Sequence, residues 1–147
     1  MSASPDIPST TSSADAHPAD AGGVHRGETL ASLLTRGSAT EPALVVPGGG
    51  PALDFATLEE AVGSFAGVLR SAGIARGDRV ALVLPDGPTF VQALLAVTLL
   101  GAAAAPLNPA YTRDEYAFYL EDLDPQLVLL PPDDVQAARA AVPAGSR

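Results

Sequence analysis

Arg79-Val80-Ala81-Leu82-Val83-Leu84, entered through Gly77-Asp78 and left through Pro85-Asp86-Gly87-Pro88, is the stretch whose reading decides the fold. Its apolar run is continuous, where a strand with one wet face would alternate. Continuity of this kind marks a strand covered on both faces in a parallel sheet. Pro88 suits the first position of a helix, because the amide it lacks would have no partner there and its φ is already helical. A mostly apolar helix is therefore expected over about Pro88–Leu100, ended by Gly101. Ala102–Ala105 reads as another short buried strand, closed by Pro106. Thr112-Arg113-Asp114-Glu115 has the spacing of a capping box and opens a helix to about Asp122, with Tyr116, Tyr119, Leu120 and Leu123 inward. Gln126–Leu130 is a third continuous apolar strand, and Asp133–Ala141 a weakly apolar final helix.

Upstream, Leu58, Ala61, Phe65, Val68, Leu69 and Ala72 recur at helical spacing, which predicts a helix from Asp54 or Thr57 to Ala72. Thr57-Leu58-Glu59-Glu60 fits a capping box, and Asp54 is the alternative cap. Gly73 supplies the left-handed residue at the other end. Gly63 and Gly67 inside the helix cost roughly 1 kcal/mol each against Ala, so close packing on a neighbour is expected there. Ala43–Val46 and Pro51–Phe55 read as strands joined through Pro47-Gly48-Gly49-Gly50. A glycine run can cradle phosphate, but such loops lead from strand to helix and carry Lys, so a hairpin is the better reading. Thr29–Thr35 looks like a short helix with Leu30, Leu33 and Leu34 on one face. Helix and strand alternate after the hairpin. The fold class is α/β: a mostly parallel sheet with flanking helices and an N-terminal β-hairpin.

Composition narrows the chemistry. The chain has 147 residues, no Cys and no Trp, and all 8 of its Lys+Arg residues are Arg. Without Cys there is no disulfide framework, thiolate metal site or cysteine nucleophile. Without Lys there is no Schiff base and no lysine clamp for phosphate. The net charge of −9 disfavours nucleic acid and anionic membrane surfaces as partners. The apolar stretch Thr89–Leu107 is interrupted by Gln92, Thr98, Gly101 and Pro106, and reads as a buried helix and strand, not a membrane span. Residues 1–27, rich in Ser, Thr, Ala, Pro and Asp, are expected as a disordered tail without the features of a signal peptide. That tail holds His17 and His25, two solvated residues without metal-ligand company. The acidic pairs Glu59–Glu60, Asp114–Glu115 and Asp133–Asp134 are each expected at a helix N-terminus, where the dipole favours them. The lack of Cys suits a cytoplasmic location.

Several stretches, in order, carry a resemblance. Leu53-Asp54-Phe55-Ala56-Thr57-Leu58 stands where a known family shows Leu-Thr-Tyr-x-Glu-Leu, and Gly73-Ile74-Ala75-Arg76-Gly77-Asp78-Arg79-Val80-Ala81 resembles its G-x-x-x-GDRVA turn. Leu84-Pro85-Asp86-Gly87 and Phe90-Val91-Gln92-Ala93 resemble its next turn and helix. Gly101-Ala102 through Pro106-Leu107-Asn108-Pro109-Ala110-Tyr111-Thr112 is similar to GA-x-x-x-PLNP-x-YT, and Glu115–Asp122 to EL-x-F-x-L-x-D. The family is the adenylate-forming superfamily. Asn108 and Tyr111-Thr112 resemble its AMP-forming acyl- or aryl-CoA synthetases more than its peptide-synthetase domains. The likeness covers about residues 40–135.

The resemblance implies a ligase that joins a carboxylate to ATP, releasing pyrophosphate, and then passes the acyl group to a thiol, usually that of coenzyme A. It also implies that residues 28–142 form part of a larger N-terminal domain of such an enzyme, with 143–147 as a disordered end. The family's ATP, Mg and coenzyme A are held by a Ser/Thr/Gly-rich loop ending in Pro-Lys, a Glu, an Asp, an Arg and a C-terminal Lys. None has a matching position here. Accordingly no catalytic, cofactor-binding or metal residue carries over, no cofactor is assigned to this chain, and an N-terminal fragment inactive alone is expected. Its partner would be the missing remainder of the enzyme or a second copy. A stand-alone α/β binding or interaction domain is the alternative. A flavodoxin- or Rossmann-type domain would need a G-x-G-x-x-G turn where Pro85-Asp86-Gly87-Pro88 stands.

Overall fold

In the computed structural model, which describes residues 29–48, 53–132, 136–143 and 146, the Arg79–Leu84 run lies at the centre of the sheet. In chain order come a 3-10 helix (Leu30–Thr35), β1 (Pro42–Leu44), β2 (Leu53–Asp54), α1 (Phe55–Ser71) and β3 (Arg79–Leu82). Then follow α2 (Pro88–Leu99), β4 (Ala103–Pro106), α3 (Arg113–Leu123), β5 (Leu127–Leu129) and α4 (Gln136–Ala141). β1 and β2 pair antiparallel, as the hairpin reading expects. The sheet order is β4-β3-β5, all parallel, in register from Arg79↔Ala103 to Leu82↔Pro106 on one side and Val80↔Leu127 to Leu82↔Leu129 on the other.

The continuous apolar run in β3 has a direct cause. Val80, Leu82 and Leu84 face one layer, with Leu58, Val62 and Leu69 of α1 and Ala93, Ala96 and Val97 of α2. Ala81 and Val83 face the opposite layer, with Tyr116 and Leu120 of α3, Val128 of β5 and Ala138 of α4. Successive strand residues point to opposite faces, so a strand between two helical layers has no position left for water. The crossover through α2 runs from β3 outward to β4, and the crossover through α3 runs back past β3 to β5. Connections of one hand in opposite directions must lie on opposite faces, and they do.

Several expectations need correction or narrowing. The Leu30–Thr35 segment is a 3-10 helix in which Leu34 is buried while Leu30 and Leu33 are 47% and 43% exposed. At three residues per turn Leu30 and Leu33 stack on one side and Leu34 turns to another. In α1 the buried stripe is Leu58, Val62, Ala66 and Leu69; Phe65 is half-buried and Val68 is 63% exposed. Val68 sits one position, about 100°, from Leu69 and so falls on the wet face. The same rotation places Gly63 and Gly67 in open space, where an added Cβ would meet nothing within 4 Å. No neighbour packs on them among the described residues. Finally, Tyr119 is 40% exposed, held by another ring and not by the core.

Asp54 is the cap of α1: the Thr57 amide donates to its Oδ1 at 2.7 Å, so the helix begins at Phe55. Thr57 therefore lies inside the first turn, and Glu59–Glu60 fall beyond it instead of at the N-terminus. Gly73 and Gly101 end α1 and α2 with φ of 90° and 73°, and Pro88 opens α2 as read. Residues 1–27, the pair Asp133–Asp134 and the centre of the hairpin loop lie outside the described residues. Ser146 donates through its hydroxyl to the Pro125 carbonyl at 2.9 Å. Among the described residues no helix is long and apolar enough to cross a membrane.

Candidate functional site at the carboxyl edge of the sheet

The quoted motifs separate onto the two ends of the sheet. Gly77-Asp78-Arg79 lies at the amino edge. Gly77 has φ 90° and donates to the Gly101 carbonyl at 3.0 Å, and the Ala75 amide donates to Asp78 Oδ2 at 2.8 Å. The Arg79 amide donates to Gln126 Oε1 at 2.6 Å. Its guanidinium donates to the carbonyls of Leu123 at 2.7 Å and Asp124 at 2.9 Å, the last carbonyls of α3, where a cation is favoured by the helix dipole. The ion pair with Asp124 at 3.1 Å is exposed and adds little. This motif joins β3, β5 and α3.

Two motifs meet at the carboxyl edge, where open α/β sheets place their ligands. In the 107–112 loop the Leu107 amide donates to the Leu82 carbonyl at 2.9 Å, prolonging the β3–β4 ladder. Asn108 then organises the turn. Its Oδ1 accepts from the Ala110 amide at 2.9 Å, and its carbonyl accepts from the Tyr116 hydroxyl at 2.8 Å and the Tyr111 amide at 3.1 Å. The Tyr111 ring stands edge-on to Tyr116 at 5.7 Å and stacks on Tyr119 at 5.0 Å. Burial, and then the nearby Tyr111, push the Tyr116 phenol up; a hydrogen bond with Tyr119 leads the causes that raise Tyr111. Thr112 and Glu115 form the predicted capping box: the Thr112 amide donates to Glu115 Oε2 at 2.7 Å and the Glu115 amide to Thr112 Oγ1 at 3.4 Å. Those bonds, backbone first, hold the Glu115 carboxyl below its usual range.

Two clefts open at this edge on either side of Leu84. One, of about 420 Å³, lies toward β4 and is lined by Leu84, Asp86, Phe90, Leu107 and Asn108 among others. The other, of about 320 Å³, lies toward β5 and is lined by Phe65, Leu84, Thr89, Leu130, Pro131 and Pro132 among others. Among the described residues no cation lines either of these two clefts and Asp86 is the one carboxylate in their linings, whereas Arg139 lines a neighbouring cleft of about 510 Å³ beside Val128, Leu129 and Leu130. Among the described residues no three His, Cys, Asp or Glu side chains gather to hold a metal, and no charged side chain is buried. A triphosphate with its magnesium needs donors and carboxylates that these walls do not provide. The described residues do not fit that group. Phe65, Thr89 and the Leu130-Pro131-Pro132 run are the site residues that the sequence patterns do not single out. They come from three separate elements and share no motif.

An α/β unit with helices on both faces of a parallel sheet, whose motif residues cap, turn and pair, is a scaffold class of structure. Residues 35–146 match the family model described as AMP-binding enzyme, and the chain belongs to that family. The probable CoA ligase CCL9 of Humulus lupulus is 39% identical over 115 residues, which cover 77% of this chain and 22% of that protein. MatB from Rhodopseudomonas palustris, solved in its apo form, is 26% identical with a TM-score of 0.66, covering 78% of this chain and 24% of that one. A benzoate CoA ligase from Burkholderia xenovorans LB400 aligns with a TM-score of 0.68 over 76% of this chain and 23% of that one. At 24% identity the benzoate ligase speaks to the fold alone. The chain thus spans less than a quarter of the length of each of these proteins.

Proposed function

We propose that this chain supplies the front scaffold of an ATP-dependent carboxylate–CoA ligase and does not itself perform the chemistry. The observation that carries the proposal is the family match over residues 35–146 in a chain that spans less than a quarter of its relatives' length and contains no Lys. In the reaction a carboxylate oxygen attacks the α-phosphorus of ATP and pyrophosphate leaves. The thiol of coenzyme A then takes the acyl group and AMP leaves. ATP, Mg and coenzyme A belong to the whole enzyme under this proposal, with residues of this chain shaping the sheet against which the remainder packs. The functional partner is that remainder, and the charge of −9 disfavours nucleic acid and anionic membrane surfaces. The proposal places the chain in the cytoplasm, a reducing compartment that a sequence without Cys suits.

ATP–pyrophosphate exchange tests this across a panel of aliphatic, aromatic and dicarboxylic acids. The purified 147-residue chain should give exchange at the no-enzyme background with every acid. Carboxylate-dependent exchange above background would overturn the scaffold proposal.

A further inference from the structure

We propose that Tyr111 and Tyr119 form an oxidative coupling site, at which a one-electron oxidant joins the two phenol rings as a dityrosine and so fastens the 107–112 loop to α3. The geometry for this is already in place. The Tyr111 ring, carried by the loop, lies on the Tyr119 ring with centroids 5.0 Å apart and planes inclined by 17°. A hydrogen bond between the two side chains, the first cause of the raised Tyr111 phenol, sets both hydroxyls at the same end of the stack. The ring carbons ortho to those hydroxyls are thereby brought side by side, and they are the carbons that couple. Tyr119 is 40% exposed, so an oxidant that cannot enter the fold can still take an electron from it. Tyr111 is half-buried beside it.

Composition directs oxidation to this pair. The chain has no Cys and no Trp, and its one Met is oxidised by oxygen transfer to the sulfoxide instead of by single electrons. The three phenols are thus the readiest electron donors, and all three lie in one cluster. Tyr116 is set apart within it. That residue is 1% exposed, its ring stands edge-on to Tyr111, and its hydroxyl donates to the Asn108 carbonyl, too weak a base to take the proton outright. Phe118, edge-on to Tyr119, has no hydroxyl to lose.

Tyr111 and Tyr119 each give one electron to the oxidant and one hydroxyl proton to water. The unpaired electrons, shared between each oxygen and its ortho carbons, pair as a new carbon–carbon bond. The two ortho hydrogens then move as protons to the oxygens and restore both phenols. Two electrons and two protons leave in all, and one hydrogen peroxide, acting through a haem peroxidase, takes them up as two waters. The stack makes the coupling intramolecular, so in dilute solution it outruns encounters between separate chains.

Treating the 147-residue chain with a haem peroxidase and hydrogen peroxide tests the proposal. The monomer should lose the mass of two hydrogens and gain the blue fluorescence of dityrosine, to an extent that dilution does not change. Trypsin cuts after Arg79, Arg113 and Arg139, which places Tyr111 in one peptide and both Tyr116 and Tyr119 in the next. The oxidised chain should yield peptides 80–113 and 114–139 as one linked species. Tyr119→Phe and Tyr111→Phe should each lose that species, and Tyr116→Phe should keep it. The proposal is overturned if no monomer two hydrogens lighter appears, or if the linkage joins only separate chains. It is equally overturned if the linked peptides persist in Tyr119→Phe, or vanish in a Tyr116→Phe chain that keeps its native circular dichroism.

Discussion

Thr112 and Asp54 do the same job at two helix starts by different chemistry. Thr112 caps α3 with a hydroxyl and is held in turn by Glu115, so both the Glu115 and Thr112 amides are satisfied. Thr112→Ala removes one acceptor and frees its partner; a loss of about 1 kcal/mol is expected, read as a lower midpoint in urea at unchanged slope. Asp54 caps α1 with a carboxylate, held below its ordinary value near 3.8 first by the Thr57 side chain and then by its amide. The sign follows from that depression. The stabilisation is fully present above the unfolded value and is lost as pH falls through the lower folded one. Asp54→Asn keeps an acceptor but cannot titrate. Its urea midpoint should therefore fall less steeply than that of the parent chain below about pH 4, in parallel denaturation series. Identical acid limbs would show that Asp54 contributes nothing to acid unfolding.

Helix α1 separates what spacing can reveal from what it cannot. Turn and cap residues act over three or four positions, so Thr112-x-x-Glu115, Gly73, Pro88 and Gly101 were legible as soon as they were spelled. Asp54 and Thr57 are both good caps for the same helix. The choice between them depends on β2 ending at Asp54 and pairing with Pro42, which no local pattern contains. The face of α1 that turns inward is also a tertiary matter, since Val62 and Ala66 compete with Phe65 and Val68 for α2. Hence spacing does not reveal the open face of the glycines or the cleft, since Phe65, Leu84 and Leu130 meet only after the sheet has formed. A prediction follows from the open space at Gly63 and Gly67. Replacing both by Ala should raise stability by up to about 2 kcal/mol, as helix propensity is gained without a clash. Gly37→Ala is the control of opposite sign, because its Cβ would run into the Phe55 ring. Destabilisation by the Gly63→Ala, Gly67→Ala pair would reveal a neighbour on that face.

The two helical layers pack on opposite faces of a three-stranded sheet, and β3 is the strand common to both. Val80 and Leu82 belong to the α1–α2 layer, Ala81 and Val83 to the α3–α4 layer, and all four are fully buried. A layer that unfolds must therefore expose one whole face of β3 while the other face is still packed. Half a sheet core leaves too little buried apolar area to offset the entropy of ordering the rest, so the chain should unfold as one unit. The distribution of aromatics makes this measurable. All three tyrosines, Tyr111, Tyr116 and Tyr119, lie on the α3 side, and there is no Trp. Leu69→Ala strikes the other layer, at a residue 1% exposed, and should cost about 2–5 kcal/mol. Its tyrosine signal in the near ultraviolet should then disappear at the same lowered Tm as its far-ultraviolet helix signal, although no tyrosine touches Leu69. If the tyrosine transition stayed at the parent temperature while the helix signal moved, the layers would be separate units and β3 would be a seam instead of a shared core.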